Sequence, residues 1–368
     1  MEVYLFIFSI TAALVPFDRM NATPAARLAV LFVPFALLLF MAGTRYETGN
    51  DWQPYVNYYQ GIDSLEFNSD NFEIGFRTLA YLSKSLDLGY SGFVFVSTLI
   101  YMAAFFLAFN RQRGAATLAL LFFSTYLLGW MGTQRQVIAL ALTVCAGECL
   151  LDGKRIWFVA LTALAATFHQ TAVLFLLVWF LRRPLPRTRT VIIVTLASVA
   201  LGQALAYVLP EIIDSLTGVP GIGDKVLFYA GVSNEGLGQA GGEALGILFY
   251  VKRLVFLLVF ILLRRQLTAT PRLAFYFNAY VFSVAFFLLL NPTLPILAAR
   301  GANYFSIYEL FLLAALVVSR GRFAALAMPL VIILAGQRLY TALYAYHPDL
   351  YIPYKGLFIN DELHREVY

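Results

Sequence analysis

The chain has 368 residues, of which 61% are A, V, I, L, M, F, W, Y or C and only 13% are charged; mean hydropathy is +0.75 and net charge +5. Soluble domains carry about 45–50% apolar and about 25% charged residues, and a water-soluble globule cannot hide this much apolar side chain beneath a polar surface. Composition therefore excludes a soluble enzyme, a disordered chain, a coiled coil and a disulfide scaffold, and predicts an all-α polytopic integral membrane protein.

The apolar runs are continuous rather than alternating, so the predicted spanning elements are helices and not barrel strands. In chain order, about ten full spans are predicted near 2–17, 27–43, 91–109, 115–132, 134–151, 190–209, 246–263, 272–290, 303–318 and 323–342. Glu2 stands where a signal peptide would carry a basic residue, so the first run reads as a span. Cys145 and Cys149, at i and i+4, read as part of a small-residue packing face.

Lys and Arg set orientation. With the N-terminus outside, the short loops 18–27, 110–114, 152–155, 182–189, 264–272 and 319–322 lie inside; they hold 15 of the 26 basic residues and only Asp18 and Asp152 as acids. The basic pI of about 9.1 thus reports topology, and no nucleic-acid partner is implied. Residues 156–181 sit between two inside loops, and two pieces of about 12 α-helical residues rise only about 18 Å each. A half-height re-entrant hairpin is expected there, with Phe168, His169 and Gln170 at its tip; the alternative is one tilted helix, which would put the 182–189 arginines outside. The whole chain, 1–368, reads as one transmembrane domain with three outer segments: a loop at 44–90, a Gly-rich flexible loop at 210–245 and a tail at 343–368.

The residues that carry chemistry cluster at the outer side. Asp51 and Tyr55 are four apart, followed by Tyr58 and Tyr59; Asn50 or Asp51 also suits a helix N-cap, and Trp52 and the tyrosines suit a membrane interface. Neither reading accounts for Arg45 at the outer end of a span. Glu73 and Arg77 have the spacing of a local salt bridge, on an amphipathic segment expected to roof a cavity. Arg135 follows Gly132-Thr133-Gln134 without an acidic neighbour in sequence, and His169 lies in an apolar stretch, where an ionisable residue within a membrane suggests function. Arg300, Tyr304 and Tyr308 share a face at i, i+4 and i+8. Lys252, Arg253, Glu309 and Arg338 lie near the same surface, with Glu309 expected to pair with Arg253 or Arg338, while Glu148 answers Lys154 or Arg155. Guanidinium forks bind phosphate bidentately and keep their charge, so arginines at this depth point to a lipid phosphate or diphosphate, and aromatic rings beside polar groups suit sugars. The glycine pattern at 236–241 fits G-x-G-x-x-G, but no strand precedes it; no metal-ligand spacing occurs.

Six motifs in order, Gly43-x-Arg45-Tyr46-x-x-Gly49-x-Asp51-Trp52-x-x-Tyr55, Phe72-Glu73-x-Gly75-Phe76, Arg135-Gln136-x-Ile138-Ala139, Phe168-His169-x-Thr171-Ala172, Arg300-x-x-x-Tyr304-Phe305 and Tyr351-x-Pro353-Tyr354, resemble the EpsG family of bacterial exopolysaccharide proteins, a branch of the Wzy-like polymerases. Thr171 departs from the serine often found there. The resemblance implies a polymerase of undecaprenyl-diphosphate-linked oligosaccharide repeat units at the outer face of the bacterial inner membrane, with a GT-C-like helical core and no cofactor. A chain-length regulator and a flippase of the same pathway are the implied partners. Within that reading Arg135 and Arg300 meet the leaving diphosphate in a metal-independent inverting transfer. Asp51 or His169 takes the acceptor proton. Arg45, Trp52, Tyr55, Glu73, Arg77, Tyr304 and Arg338 line the substrate. The alternatives are a ligase that transfers finished glycan, a lipid-linked sugar flippase or transporter, and a membrane acyltransferase using a histidine.

Overall fold

A computed structural model describes residues 1–20, 22–65, 72–183, 187–216, 247–319, 324–344 and 348–362. The expected flexible loop at 210–245 falls, from 217 on, outside the described residues, as do His347 and His364. The described residues are almost entirely helical; the exceptions to helix include two isolated bridges, Arg45 to Gly356 and Gly356 to Ile359.

Helices occupy all ten positions expected for spans, and seven of them, among the described residues, are long and apolar enough to cross a membrane. The remaining three are shorter among the described residues, which resume only at 247 after the helix that ends at 216. Helix α1, Glu2–Leu14, gives way at Pro16 to a 3-10 turn, Val15–Arg19. Helix α6, Ala115–Trp130, is 16 residues long, and α10 is Ile247–Leu262. The chain clusters into two compact units, Met1–Val173 with Leu313–Tyr368, and Leu174–Leu312.

In the first unit, α2 (Pro24–Gly43), α5 (Gly89–Phe109), α7 (Gln134–Leu151) and α8 (Arg155–Phe168) pack in sequence, and α1 and α2 flank α6. Residues Leu118 to Phe123 of α6 are fully buried, as a helix apolar on every side must be. Asp18 caps α6 by accepting from the N–H groups of Ala116 (3.1 Å) and Thr117 (2.7 Å) and from the Thr117 hydroxyl (2.7 Å), an anion at a helix N-terminus. Burial outweighs those bonds and pushes its carboxyl up to about 6. Toward its C-terminus α6 widens into a π-turn, Phe123–Leu127, where Thr125 accepts from Arg338 of α14 (Ala324–Tyr344) at 3.1 Å. Two smaller helices, α3 (Trp52–Gly61) and α4 (Ile74–Ser85), are tied together by Lys84, whose ammonium donates to the carbonyls of Gln60 and Ile62, each at 2.8 Å.

In the second unit, α9 (Thr188–Leu216) lies on α11 (Pro271–Leu290) so closely that a Cβ on Gly202 would stand 2.5 Å from the Leu288 carbonyl oxygen. Ile193 (62% exposed) and Leu196 (64%) on the other face of α9 are tolerable only against hydrocarbon. Helices α11 and α12 (Pro295–Ser306) pack together, and α13 (Tyr308–Val318), of which only the part up to Leu312 belongs to this unit, follows after a one-residue break.

The 156–181 stretch is two helical pieces meeting at His169, whose backbone is extended (φ −153°, ψ 115°). One unbroken helix is therefore not what forms. The second piece, Gln170–Arg182, is a 3-10 helix; at about 2.0 Å per residue its 13 residues reach roughly 26 Å. The expected half height assumed α-helical rise for both pieces, and the tighter winding lengthens this one.

Candidate functional site

Four separate segments of the first unit are brought together by three sets of contacts, two of them glycine-mediated. The first follows α2. Arg45 donates from Nη1 to the Ala42 carbonyl at 2.6 Å, a cation at a helix C-terminus, and is only 1% exposed. The tail then fastens the loop. Tyr46 N–H donates to the Lys355 carbonyl (3.0 Å), Gly49 N–H to Leu350 (3.1 Å) and Leu357 N–H to Thr44 (2.8 Å), while the Tyr354 hydroxyl donates to Met41 (2.7 Å). Lys355 is fully buried, pairs with Glu47 at 2.5 Å and lies over the Tyr46 ring. So fastened, the loop turns through Gly49 (φ +95°) to Asp51, which occupies the N-cap of α3 in the left-handed region (φ 58°) without a capping bond from its side chain.

The second contact brings this loop to the turn before α7. A Cβ on Gly132 would stand 2.1 Å from the Asn50 carbonyl oxygen, so only glycine lets the two backbones approach. Arg135 sits in the first turn of α7, beyond that contact. It donates from Nη1 to Glu73 Oε2 at 2.6 Å and from Nε to the Tyr55 hydroxyl at 3.3 Å, and its guanidinium lies 4.7 Å from the Phe72 ring centroid. The third contact seats the start of α4 on the end of α8: a Cβ on Gly75 would stand 2.4 Å from Thr167 Oγ1. Where α8 stops, the Gln170 N–H donates to Glu73 Oε1 at 3.3 Å, and Thr171 Oγ1 lies 2.7 Å from His169 Nδ1, with His169 6% exposed. Burial raises the Tyr55 phenol; Arg135 opposes this, while Asp51 and Glu73 add to it. Tyr55 thus feels all three charges.

Glu73 does not make the local pair expected with Arg77. It is the N-cap of α4 with extended backbone (φ −69°, ψ 150°), off the helical i, i+4 face, and its two oxygens go to Arg135 and Gln170. Arg77 is 6% exposed and donates its backbone N–H to the Glu73 carbonyl. Trp52 (4% exposed) and Tyr55 (3%) belong to a buried aromatic cluster; Trp52 packs edge-on against Tyr46 and Tyr90, and Tyr55 against Phe72 and Phe76. Arg338 is buried at the π-turn of α6. Arg300 and Tyr304 lie on α12 in the second unit, Arg300 half-buried and Tyr304 fully buried. Sequence reasoning missed Glu47 and Lys355 and gave Gly132, in the run before Arg135, no role. The tyrosines of the tail motif and the glycine just before Gln134-Arg135 were the available signals.

These features define a multi-pass helical membrane protein with an arginine–carboxylate–tyrosine cluster built from loops at helix ends, a site suited to an anionic ligand. A model of the EpsG family matches residues 28–356, nearly the whole chain, and the protein belongs to that family of Wzy-like polysaccharide polymerases. The match takes in all four segments of the cluster as well as Arg300, and begins after α1. No curated protein and no solved structure matches the chain.

Proposed function

We propose that this protein joins undecaprenyl-diphosphate-linked oligosaccharide repeat units into polysaccharide at the outer face of the bacterial inner membrane. The observation that carries the reading is Arg135, held at a helix start by Glu73 and Tyr55 within the stretch that the family model matches. A hydroxyl of one lipid-linked unit attacks the anomeric carbon of the glycan on another. The bond to the diphosphate breaks, and undecaprenyl diphosphate leaves with its electron pair. A single displacement inverts the anomeric centre. The charge that develops on the leaving group needs fixed positive donors, and Arg135 is the group of the first unit assigned to it. The proton acceptor belongs to the carboxylates and imidazole of the four segments, among them Asp51 and His169. Arg45, engaged with its own helix end, serves the scaffold of the loop.

Purified protein incubated with a synthetic lipid-linked repeat unit is expected to give a ladder of products. A single transferred species instead identifies a ligase, and an unmodified substrate moved across vesicles identifies a transporter; either outcome sinks the polymerase reading.

A further inference from the structure

Glu73 and Arg135 form an ion pair that is neither sealed nor fully exposed, with side-chain exposures of 11% and 22%. The two groups are held differently. Glu73 keeps a second anchor, the Gln170 N–H on Oε1, and the close seating of Gly75 on Thr167 fixes the backbone beside it. Arg135 directs Nη1 to Glu73 and Nε to Tyr55, and its Nη2 takes no protein partner among the described residues. A guanidinium in this state accepts a phosphate in the same fork geometry that it offers a carboxylate. A diphosphate, with more charge and more oxygens, competes for the fork with Glu73.

The closed pair also has the wrong geometry for an inverting transfer. In inverting glycosidases the acid and base carboxyls stand about 6.5–9.5 Å apart on opposite faces of the sugar. With 2.6 Å between Glu73 and Arg135, no sugar fits between them. The pair has to open before the chemistry runs, and the guanidinium, on the longer side chain and otherwise held by Tyr55 at 3.3 Å, is the part able to move.

We propose, on the basis of the polymerase reading above, that Glu73 is the proton acceptor for the attacking hydroxyl, held in reserve by Arg135 until a lipid diphosphate takes its place. The acceptor oxygen forms the bond to the anomeric carbon. The bond from that carbon to the diphosphate breaks, its electron pair departing with the lipid diphosphate that faces Arg135. The hydroxyl proton passes to Glu73 Oε2, the oxygen that Arg135 has released, while Oε1 stays on the Gln170 N–H. After the lipid diphosphate leaves, Glu73 gives the proton to water and closes again on Arg135.

The test uses the full-length protein in nanodiscs, with undecaprenyl diphosphate as the binding probe and a synthetic lipid-linked repeat unit for turnover. Glu73→Gln is expected to bind undecaprenyl diphosphate roughly three- to tenfold more tightly, because a competing anion is gone, while turnover falls at least about 100-fold. That opposed movement is one that a merely structural role does not produce. Turnover within about threefold of wild type, or weaker binding of the probe, overturns the proposal. Should Glu73→Gln fail to insert, Glu73→Ala with added formate decides the point: at least about tenfold rescue of turnover supports a proton-acceptor role, and no rescue in folded, probe-binding protein overturns it. The two readings fail separately. A wild-type protein that makes only single-transfer product defeats the polymerase reading, yet that transfer still reports on Glu73; a polymerising wild type matched by Glu73→Gln defeats this proposal alone.

Discussion

Arg45 and Arg135 are both arginines at helix ends in the first unit, and they are held in opposite ways. Arg45 is 1% exposed, bonds a carbonyl of its own helix and lies beneath a tail fastened by backbone hydrogen bonds. Arg135 is partly exposed, and its strongest partner is a side-chain carboxylate from a distant segment. A backbone carbonyl cannot leave; a carboxylate can be exchanged for another anion. On the function proposed above, the difference separates a cation that shapes a loop from one available to a ligand, although both residues look alike as arginines at the ends of apolar runs.

The largest expected effect tests the ligand side. Arg135→Ala should cut polymer formation per folded molecule by about 100- to 1000-fold, the usual loss when a fixed donor to a developing anion is removed. Arg135→Lys should restore only part of it, because a point charge does not reproduce the fork; full restoration would count against bidentate binding. On the scaffold side, Lys355→Ala should destabilise the folded protein by about 3 kcal/mol, since it removes one partner of a buried ion pair. Glu47→Ala combined with Lys355→Ala should cost less than the sum of the two single changes, which denaturation of all three variants will measure. A smaller loss, about 2 kcal/mol for a buried charge-assisted hydrogen bond, is expected for Arg45→Gln, with turnover per folded molecule close to wild type. If Arg45→Gln instead abolishes turnover at normal stability, the contrast drawn between the two arginines collapses.

The smallest effect concerns neither arginine and serves as a control on charge burial. The Asp18 carboxyl is raised to about 6 from an ordinary value near 3.8. Protonation therefore favours the folded state: the contribution is complete below about 3.8 and is lost as pH rises through about 6. Melting temperatures between pH 4 and 7 should fall with rising pH in the wild type and show a shallower slope in Asp18→Asn.

Much of the helical framework was legible from residues 1–368 because a bilayer imposes one simple requirement, a long apolar run for each crossing. The break at Phe168–Gln170 was also legible, since residues 156–181 lie between two loops expected on the same side and so call for a turn in mid-stretch. The winding of Gln170–Arg182 was not, because no residue pattern in that piece distinguishes a 3-10 from an α-helix. In the site, the sequence picked out Arg135, Glu73, Tyr55 and His169 as unusual but assigned Glu73 to the wrong partner. Spacing of four residues argues for a pair only when both residues are inside a helix, and Glu73 is its cap.

The sequence by itself determined that the chain is a helical membrane protein, where its apolar helices lie, and which scarce charged residues deserve a role, because hydrocarbon penalises every unexplained charge. Tertiary structure alone decided which of those charges meet. Close approaches at Gly75 and Gly132 bring together residues from 50 to 171, turning Glu73 toward Arg135, while the tail's hydrogen bonds enclose Arg45. Such partnerships depend on distances between backbones far apart in the chain, and local residue order does not encode those distances in any form that can be read one segment at a time.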